Sequence, residues 1–338
     1  MEWNFKNIKE TPFEIGGILH PDKNHGELYR LDASKKESYT KDNAFLAHHT
    51  SGATVRFVTD ADKIFIRNRL REVIIGMPHF THRGVWGLDV LVGSGRDRKY
   101  CARQMQTFAE HTDLNENELE LPEGENEVLI FLPLYAGIED MEIGFPEGAT
   151  LKAPAPRTMA PIAFYGASIT QGGCASRPGT AFSNIVCRYF DADCINLGFS
   201  GSCFGEQYVA EFMSRLDIGF FVMDYVFNSR TIEELENTHY PFYKTFRAAH
   251  PDVPILMCTH PYGGRPTIKM DLDRIAVVKK SFDRALSEGD KNVYFLDGRD
   301  YFPREMDDLC FVDRLHPNDL GMFYMARAII GSIEKILS

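Results

Sequence analysis

The segment "IAFYGASITQGG" (residues 162–173) decides the fold, because an apolar run ends there in a turn of small and polar residues. Its opening residues are apolar without alternation, which is typical of a strand buried on both faces of a parallel sheet. Four similar runs follow along the chain: DCINLGF (193–199), IGFFVMDYV (218–226), VPILMCTH (253–260) and NVYFLD (292–297).

Segments with helical periodicity separate these apolar runs. They cover residues 180–190, 205–215, 231–249, 270–288 and 317–336. Strands that alternate with helices predict a parallel sheet with helices on both faces. The pattern therefore predicts a flavodoxin-like three-layer α/β/α domain over residues 161–338. Ligands of such folds bind at the carboxyl ends of the strands.

Residues 1–150 show a different pattern of short runs separated by turn-rich pieces, with no apolar period of helix length. These runs are ATVRFVTD (53–60), KIFIRNRLREV (63–73), GVWGLDVLVG (84–93), KYCARQMQTF (99–108) and NEVLIFLPLY (126–135). They predict an all-β domain, an antiparallel β-sandwich or jelly roll. The proline-rich residues 151–160 are predicted to be a semi-rigid linker between the two domains.

Composition and charge exclude several classes of function. The chain has 338 residues and a formal net charge of −11, which disfavours binding to nucleic acid or to anionic membranes. No run of about 18 apolar residues is present, so no membrane span is expected. The polar start "MEWNFKNIKETPFEIGG" lacks a signal peptide. A cytoplasmic location is expected, although a secreted form with its signal peptide removed would look the same.

The seven cysteines favour reduced, buried thiols. Their number is odd and no two have C-x-x-C spacing, which disfavours a disulfide framework or a thiolate zinc site. Cys174 and Cys203 stand out only because each follows a motif described below.

Ser168 is the polar side chain at the end of the first parallel strand. A glycine-rich loop after a first strand is also typical of dinucleotide binding, but the glycines at 166, 172 and 173 do not fit G-x-G-x-x-G. A phosphate-binding P-loop needs a lysine after its last glycine, where this chain has Cys174. Ser168 is then either a turn residue or a displayed nucleophile.

The next two strand ends carry candidate hydrogen-bond donors. "NLGFSGS" (196–202) resembles the G-x-S-x-G nucleophile elbow but has Ser202 in place of the final glycine. Gly201 fits a backbone N–H that approaches a ligand closely, or a plain tight turn. Asn228 follows the third strand and could donate to an oxyanion or cap the helix that begins near Thr231.

"DRLHPND" (313–319) precedes the last helix and places Asp313 three residues before His316. In this arrangement a carboxylate can orient an imidazole whose other nitrogen serves a serine as base. A surface loop with an incidental histidine is the alternative. The order Ser, Asp, His along the chain favours a catalytic set.

Residues from about 155 to 338 resemble the SGNH (GDSL-type) hydrolases, a family of esterases and lipases. "GASIT" is similar to the Gly-Asp-Ser block, Gly201 to the glycine of the second block, and Asn228 to the amide of the third. Asp313 and His316 fit the Asp-x-x-His block in full.

Two positions depart from the family pattern. Ala167 stands where many members have Asp, and Val226 and Ser229 replace the Gly and Asp around Asn228. Neither change removes a catalytic group, so both are interpreted as subfamily features.

The resemblance implies Ser168 as nucleophile, His316 as base and Asp313 as its orienting carboxylate. The oxyanion hole would comprise the Ser168 and Gly201 N–H groups and the Asn228 amide. No metal and no cofactor are implied.

Family members with an N-terminal β-sandwich are similar to carbohydrate acetyl esterases, so a serine esterase for short acyl groups, chiefly acetyl on carbohydrate, is predicted. A carbohydrate-binding protein with a relict hydrolase domain and an acyltransferase are the alternatives.

Substrate contacts are predicted at two places. "GVWGLDVLVG" resembles the Gly-x-Asp-Leu-Tyr motif that accompanies this hydrolase type, which suggests Asp89 as a contact. Trp86 could stack on a sugar, although an ordinary strand and a core tryptophan fit equally. The loop "THPYGGRP" (259–266) follows the fourth parallel strand, where His260, Tyr262 and Arg265 either line a pocket or cover the sheet edge. The expected partner is a small-molecule or saccharide ester. The sequence predicts neither the oligomeric state nor whether the β-domain contributes residues to the active site.

Overall fold

The computed structural model describes residues 2–72, 77–101, 113–261 and 269–338. Two short helices of the first half are α1 (Lys41–Leu46) and α2 (His82–Trp86). The strands described there are β1 (Trp3–Asn7), β2 (Glu14–Gly16), β3 (Thr54–Thr59), β4 (Lys63–Leu70), β5 (Asp89–Val92), β6 (Lys99–Tyr100), β7 (Leu114–Glu120), β8 (Asn126–Phe131), β9 (Ile138–Pro146) and β10 (Leu151–Lys152).

These strands form two antiparallel sheets. One has the order β1-β9-β4-β7, and the other has the order β10-β3-β8-β5-β6 with β2 beside β3. Side chains of β4 alternate between buried and accessible positions, as expected for a strand with one face on a core. Ile64 and Ile66 of the first sheet share an apolar cluster with Phe57 and Ile130 of the second. The predicted antiparallel β structure is therefore confirmed, while the jelly-roll connection stays a prediction.

Two strand predictions in this half need correction, and several strands were not predicted. The run 84–93 begins as helix α2, whose first turn is capped by the Thr81 hydroxyl accepting the Gly84 N–H at 2.9 Å, and becomes a strand only at Asp89. The run 99–108 is a strand at Lys99–Tyr100, and residues 102–108 lie outside the described residues. Strands β1, β2, β7 and β9 were not predicted. The sequence of β7, LNENELE, is polar, as suits an edge strand.

The second half is built on one parallel sheet. Its strands are β11 (Ile162–Gly166), β12 (Cys194–Gly198), β13 (Phe220–Asp224), β14 (Ile255–Cys258) and β15 (Val293–Leu296), in the order β12-β11-β13-β14-β15. Its helices are α3 (Ser168–Gln171), α4 (Phe182–Phe190), α5 (Gln207–Met213), α6 (Ile232–Ala249), α7 (Lys269–Ser287) and α8 (Asp319–Leu337). The five predicted strands and the five predicted helices are confirmed, and this strand order is the flavodoxin-like one.

Alternate residues of these strands belong to two different apolar clusters. Phe164 and Val222 belong to a cluster that includes Val186 of α4 and Ile329 of α8. Their neighbours in sequence belong to a second cluster, together with side chains of α5, α6 and α7: Tyr165, Phe221, Met223 and Met257. Helices therefore cover both faces of the sheet, as predicted from strands without polar alternation. The first cluster also contains the core of the two antiparallel sheets, so the halves share one apolar core.

The predicted linker is fastened to both halves. Leu151 and Lys152 form β10 and pair with β3, so the first two linker residues belong to the second sheet. Arg157 donates from Nε to Asp193 at 2.8 Å and from Nη1 to Asp191 at 3.1 Å. Asp191 also accepts from the buried Arg98 of the first half at 2.7 Å. A buried charge network of this kind fixes the connector, because removing one partner leaves an uncompensated charge.

Within the described parts of the chain, every helix is too short or too polar to span a bilayer.

Candidate active site

Ser168 lies directly after β11, at the first residue of the short helix α3. Ala167 is the N-cap residue and offers no side-chain acceptor to the first turn of this helix. The N–H groups at a helix start have no acceptor inside the helix, so they are available to other groups. Ala167 itself packs in the second apolar cluster.

A set of hydrogen bonds holds the backbone of Ser168. Its carbonyl oxygen accepts the hydroxyl of Tyr135 at 3.0 Å and the N–H of Gly173 at 2.8 Å. A Cβ at Gly173 would lie 3.0 Å from both the Tyr135 hydroxyl and the Ser168 oxygen, so a side chain there would press on this pair. Burial raises the pKa of Tyr135, which keeps its hydroxyl a neutral donor. A residue of the first half thus fixes the nucleophile candidate.

His316 joins Ser168 to Asp313. Its Nε2 lies 2.8 Å from the Ser168 Oγ, and its Nδ1 lies 2.8 Å from an Asp313 carboxylate oxygen. The other Asp313 oxygen accepts the backbone N–H groups of Leu315 at 3.0 Å and His316 at 2.7 Å. Burial acts to raise the pKa of Asp313, but the hydrogen bonds from His316 and Leu315 outweigh it and lower the pKa. An ionised carboxylate therefore faces the imidazole at neutral pH.

The structure brings the predicted oxyanion donors to one edge of the sheet, since β11, β12 and β13 are neighbours and parallel. Gly201 has a φ of +70°, a left-handed conformation that glycine adopts without strain. The Asn228 Oδ1 accepts the Cys203 N–H at 3.3 Å, which ties the two loops together. With its oxygen used in this way, the Asn228 side chain has its NH₂ group left to donate.

Asp224 at the end of β13 is a buried acid beneath this site. It accepts the hydroxyl of Thr170, two residues after Ser168, at 2.9 Å. Burial raises the pKa of Asp224 to about 7, and the Thr170 hydrogen bond only partly opposes that rise. The sequence shows a polar residue at the end of this strand, but no pattern in it predicts the contact between Asp224 and Thr170 of α3.

Cys174 is a buried neighbour of the Ser168 site. Burial, with a smaller effect of the Asp313 charge, raises the pKa of the Cys174 thiol to about 12. At neutral pH the thiol is protonated, and the thiolate is the reactive form of cysteine. The serine, which is bonded to an imidazole, is therefore the better nucleophile.

The first half also contributes two rings beside His316. The His79 ring lies 5.1 Å from the His316 ring, and the His79 Nε2 lies 3.8 Å from the Asp313 carboxylate. The Phe80 ring lies 6.3 Å from His316 and 4.6 Å from Tyr135. Sequence reasoning missed these residues, because the loop before α2 carries no motif that relates it to positions more than two hundred residues away. One atom each of His79, Cys174 and His316 lies within 4.8 Å of the others, a set able to hold a metal ion.

Two of the predicted substrate contacts do not hold. Asp89 and Trp86 are each 0% exposed, and a side chain without exposed surface cannot touch a ligand. Asp89 instead accepts the Arg177 guanidinium at 2.6 Å and the Gly179 N–H at 2.7 Å, which joins the first half to the loop after α3. Trp86 stacks on His82 with ring centroids 4.9 Å apart.

The loop after β14 is described only at its start. His260 is buried and packs on Phe227, the neighbour of Asn228, with ring centroids 4.5 Å apart. It therefore supports the loop that carries Asn228. The predicted contacts Tyr262 and Arg265 lie outside the described residues.

Two family models match the sequence and together cover nearly all of it. Residues 159–334, just over half of the chain, match the GDSL-like lipase/acylhydrolase family. Residues 3–151 match the GxDLY model, which describes the N-terminus of SGNH-hydrolase-type esterases. A search of curated proteins found no match.

Solved structures share the fold over most or nearly all of the chain. A putative GDSL-like lipase from Bacteroides ovatus is 24% identical with a TM-score of 0.88, over 99% of this chain and 98% of that one. The salicylyl-acyltransferase SsfX3 from a tetracycline biosynthetic pathway is 18% identical with a TM-score of 0.81. The match covers 99% of this chain and 97% of that one. A family two carbohydrate esterase from Clostridium thermocellum, in complex with cellohexaose, is 16% identical with a TM-score of 0.61. The match covers 85% of this chain and 93% of that one.

Proposed function

The chain belongs to the GDSL-like lipase/acylhydrolase family, and from that premise we propose that it is a serine esterase that removes short acyl groups, chiefly acetyl, from carbohydrate. The observation that carries the proposal is the hydrogen-bonded series Ser168, His316 and Asp313, with both distances at 2.8 Å. Because this series is intact, it favours an active esterase rather than a relict hydrolase domain in a protein that only binds saccharide.

In the first step His316 acts as the base. Its Nδ1–H donates to Asp313, which leaves the Nε2 lone pair facing the Ser168 hydroxyl. As Nε2 takes the hydroxyl proton, Oγ attacks the ester carbonyl carbon, and the carbonyl oxygen becomes an oxyanion. The ionised Asp313 stabilises the imidazolium that forms.

The oxyanion then needs donors that are already in place. The Ser168 and Gly201 N–H groups and the Asn228 NH₂ group meet this need in the proposal, since all three follow neighbouring parallel strands. Donors held by the fold stabilise the developing charge without reorganisation, and one such donor is worth about 10²–10³ in kcat.

Collapse of the tetrahedral intermediate completes the first half of the reaction. The C–O bond to the alcohol breaks, and the imidazolium of His316 returns its proton to the leaving oxygen. Water then attacks the acyl-serine with His316 again as base, and the carboxylic acid leaves while Ser168 regains its proton.

Crowding around Ser168 supports a short acyl group. The serine is only 9% exposed, and the rings of Tyr135 and Phe80 pack beside its helix and against each other. The carbohydrate part of the proposal rests on fold similarity to the esterase that was solved with cellohexaose.

Acyl transfer is a second candidate, because a salicylyl-acyltransferase shares the fold over 99% of this chain. The acyl-serine is the same in both reactions, and an alcohol replaces water in the second half. Product analysis with acetyl donor and competing sugar acceptors separates the two: free acetate supports hydrolysis, and acetylated acceptor supports transfer.

The decisive experiment is an esterase screen with p-nitrophenyl acetate, butyrate and octanoate and with acetylated sugars. Ser168→Ala is expected to lower kcat by about 10⁴-fold or more. Ser287→Ala is the matched control, because the Ser287 hydroxyl lies at the surface of α7, bonded to the Arg284 carbonyl, and its loss should leave activity unchanged. Equal rates for wild type and a folded Ser168→Ala protein would refute the proposal.

A further inference from the structure

We propose that His79, Cys174 and His316 form a binding site for a soft or borderline divalent metal ion such as Zn²⁺, and that an ion bound there switches the esterase off. The site lies at the junction of the two halves, because His79 belongs to the first half and the other two residues to the second. The switching part rests on the proposed function, whereas the binding part does not.

The ligand set suits such an ion. Two imidazoles and one thiol are ligands that Zn²⁺ and its neighbours in the first transition series favour, and three protein ligands leave a fourth position for water. Their candidate atoms lie within 4.8 Å of one another. Zinc bonds of about 2.0–2.3 Å place ligand atoms up to roughly 4 Å apart, so side-chain shifts of about an ångström suffice.

His79 provides an independent indication. Its Nε2 is a buried atom for which the described part of the chain provides no hydrogen-bond partner. Buried ring nitrogens almost always have one, since an unsatisfied polar atom costs free energy. The Asp313 carboxylate lies 3.8 Å from this nitrogen, at ion-pair distance but too far for a hydrogen bond. Metal coordination would satisfy this nitrogen.

His316 is preset for coordination by the contact that prepares it for catalysis. Its Nδ1 is bonded to Asp313, which leaves the lone pair on Nε2. A carboxylate behind an imidazole is the usual support for a metal-bound histidine. An ion on Nε2 would take the lone pair that accepts the Ser168 proton, and an ion on Nδ1 would displace the Asp313 contact, so occupancy of the site and catalysis exclude each other.

Cys174 completes the set as a thiolate. On coordination its S–H bond is lost, the sulfur electron pair forms the metal bond, and the proton passes to solvent. The positive ion makes this ionisation favourable inside a buried site, where the free thiol is neutral. No oxidant or reductant takes part in the step.

Cobalt binding tests the site without any need for activity. Co²⁺ is added to the full-length protein, and thiolate-to-cobalt charge-transfer absorption is recorded. Wild type is expected to show the band, Cys174→Ala to lose it, and His79→Gln to weaken binding by about tenfold or more. Cys101→Ala is the matched control for a thiol outside the cluster and should keep the band. Absence of the band in wild type, or its persistence in Cys174→Ala, would overturn the site.

Zinc inhibition tests the switch. Zn²⁺ is expected to reduce hydrolysis of p-nitrophenyl acetate by wild type, and EDTA to restore it. Relative to its own metal-free rate, Cys174→Ala should need about tenfold or more Zn²⁺ for the same fractional inhibition. A cobalt band with no loss of activity on Zn²⁺ addition would overturn the switch. If no ester is hydrolysed at all, the esterase proposal fails, while the cobalt titration still decides the site.

Discussion

Tyr135 donates its hydroxyl to the backbone carbonyl of Ser168 at 3.0 Å, so the first half of the chain holds the nucleophile candidate of the second. The Tyr135 ring also packs on Phe80, which faces His316. The β structure is therefore part of the active-site framework rather than an appended module.

The Tyr135 hydroxyl can be removed without removing its ring. Tyr135→Phe is expected to lower kcat about five- to tenfold, because a buried hydrogen bond contributes about 1 kcal/mol and its loss leaves the Ser168 backbone less constrained. Steady-state kinetics on p-nitrophenyl acetate measure the effect. Tyr189→Phe is the matched control, since that hydroxyl bonds Glu334 at the surface. Equal kcat values for the two variants would contradict the constraint.

Asn228→Ala should lower kcat by about 10²–10³ with little change in KM, because the amide is proposed to act on the oxyanion and not on the bound ester. Asn228→Asp separates this effect from folding: its oxygen can still accept the Cys203 N–H, whereas its second oxygen repels the oxyanion. We expect Asp to impair kcat at least as much as Ala. An active Asn228→Asp enzyme would exclude the amide as an oxyanion donor.

The raised pKa of Asp224 predicts that the free energy of unfolding depends on pH. Its pKa of about 7 in the folded protein lies well above the value of about 3.9 for an unfolded chain. Between about pH 4 and pH 7 the native state binds a proton that the unfolded state does not, so the free energy of unfolding falls as pH rises.

Asp224→Asn should therefore gain stability relative to wild type as pH rises from 5 to 7.5, by about 2–4 kcal/mol. The amide oxygen can still accept the Thr170 hydroxyl, so the contact beneath α3 is kept. Urea unfolding of both proteins at the two pH values measures the difference. A constant stability difference between them would show that Asp224 does not titrate in this range.

Asp89 is predicted to act on stability and not on substrate affinity. Asp89→Ala leaves Arg177 and the Gly179 N–H without a buried partner, at a cost of about 3–5 kcal/mol. Asp140→Ala is the matched control, because Asp140 bonds Asn7 at the surface. Thermal unfolding and KM of the folded fraction are the measurements. A raised KM with unchanged stability would restore the substrate role that the structure argues against.

Much of the architecture followed from periodicity. The five parallel strands of the second half lack polar alternation because helices cover both faces of their sheet, and their positions were predicted within a few residues. Strands β1, β2, β7 and β9 were not predicted, and β7 is an edge strand whose sequence LNENELE has little apolar signal. Helix α2 was mistaken for a strand because GVWG is apolar in either conformation.

Ser168, Asp313 and His316 could be identified from sequence because each stands at a strand end or in a short motif with fixed spacing. The remainder of the site could not, since Tyr135 and His79 have no local pattern that links them to these residues. The opposite error concerned Trp86 and Asp89, whose residue types suit a sugar site. Both are fully buried, and burial depends on what packs on them from elsewhere in the chain.

The sequence by itself determined the two kinds of sheet and the polar residues that follow the parallel strands. It also determined the identity of the three hydrogen-bonded side chains. Only the tertiary structure decided that the first half reaches Ser168 through Tyr135 and stands beside His316 through His79. The physical reason is the range of the forces involved. Strand and helix periods arise from local backbone geometry, whereas the joint between the halves arises from the shared apolar core and the buried contacts of Asp89 and Asp191.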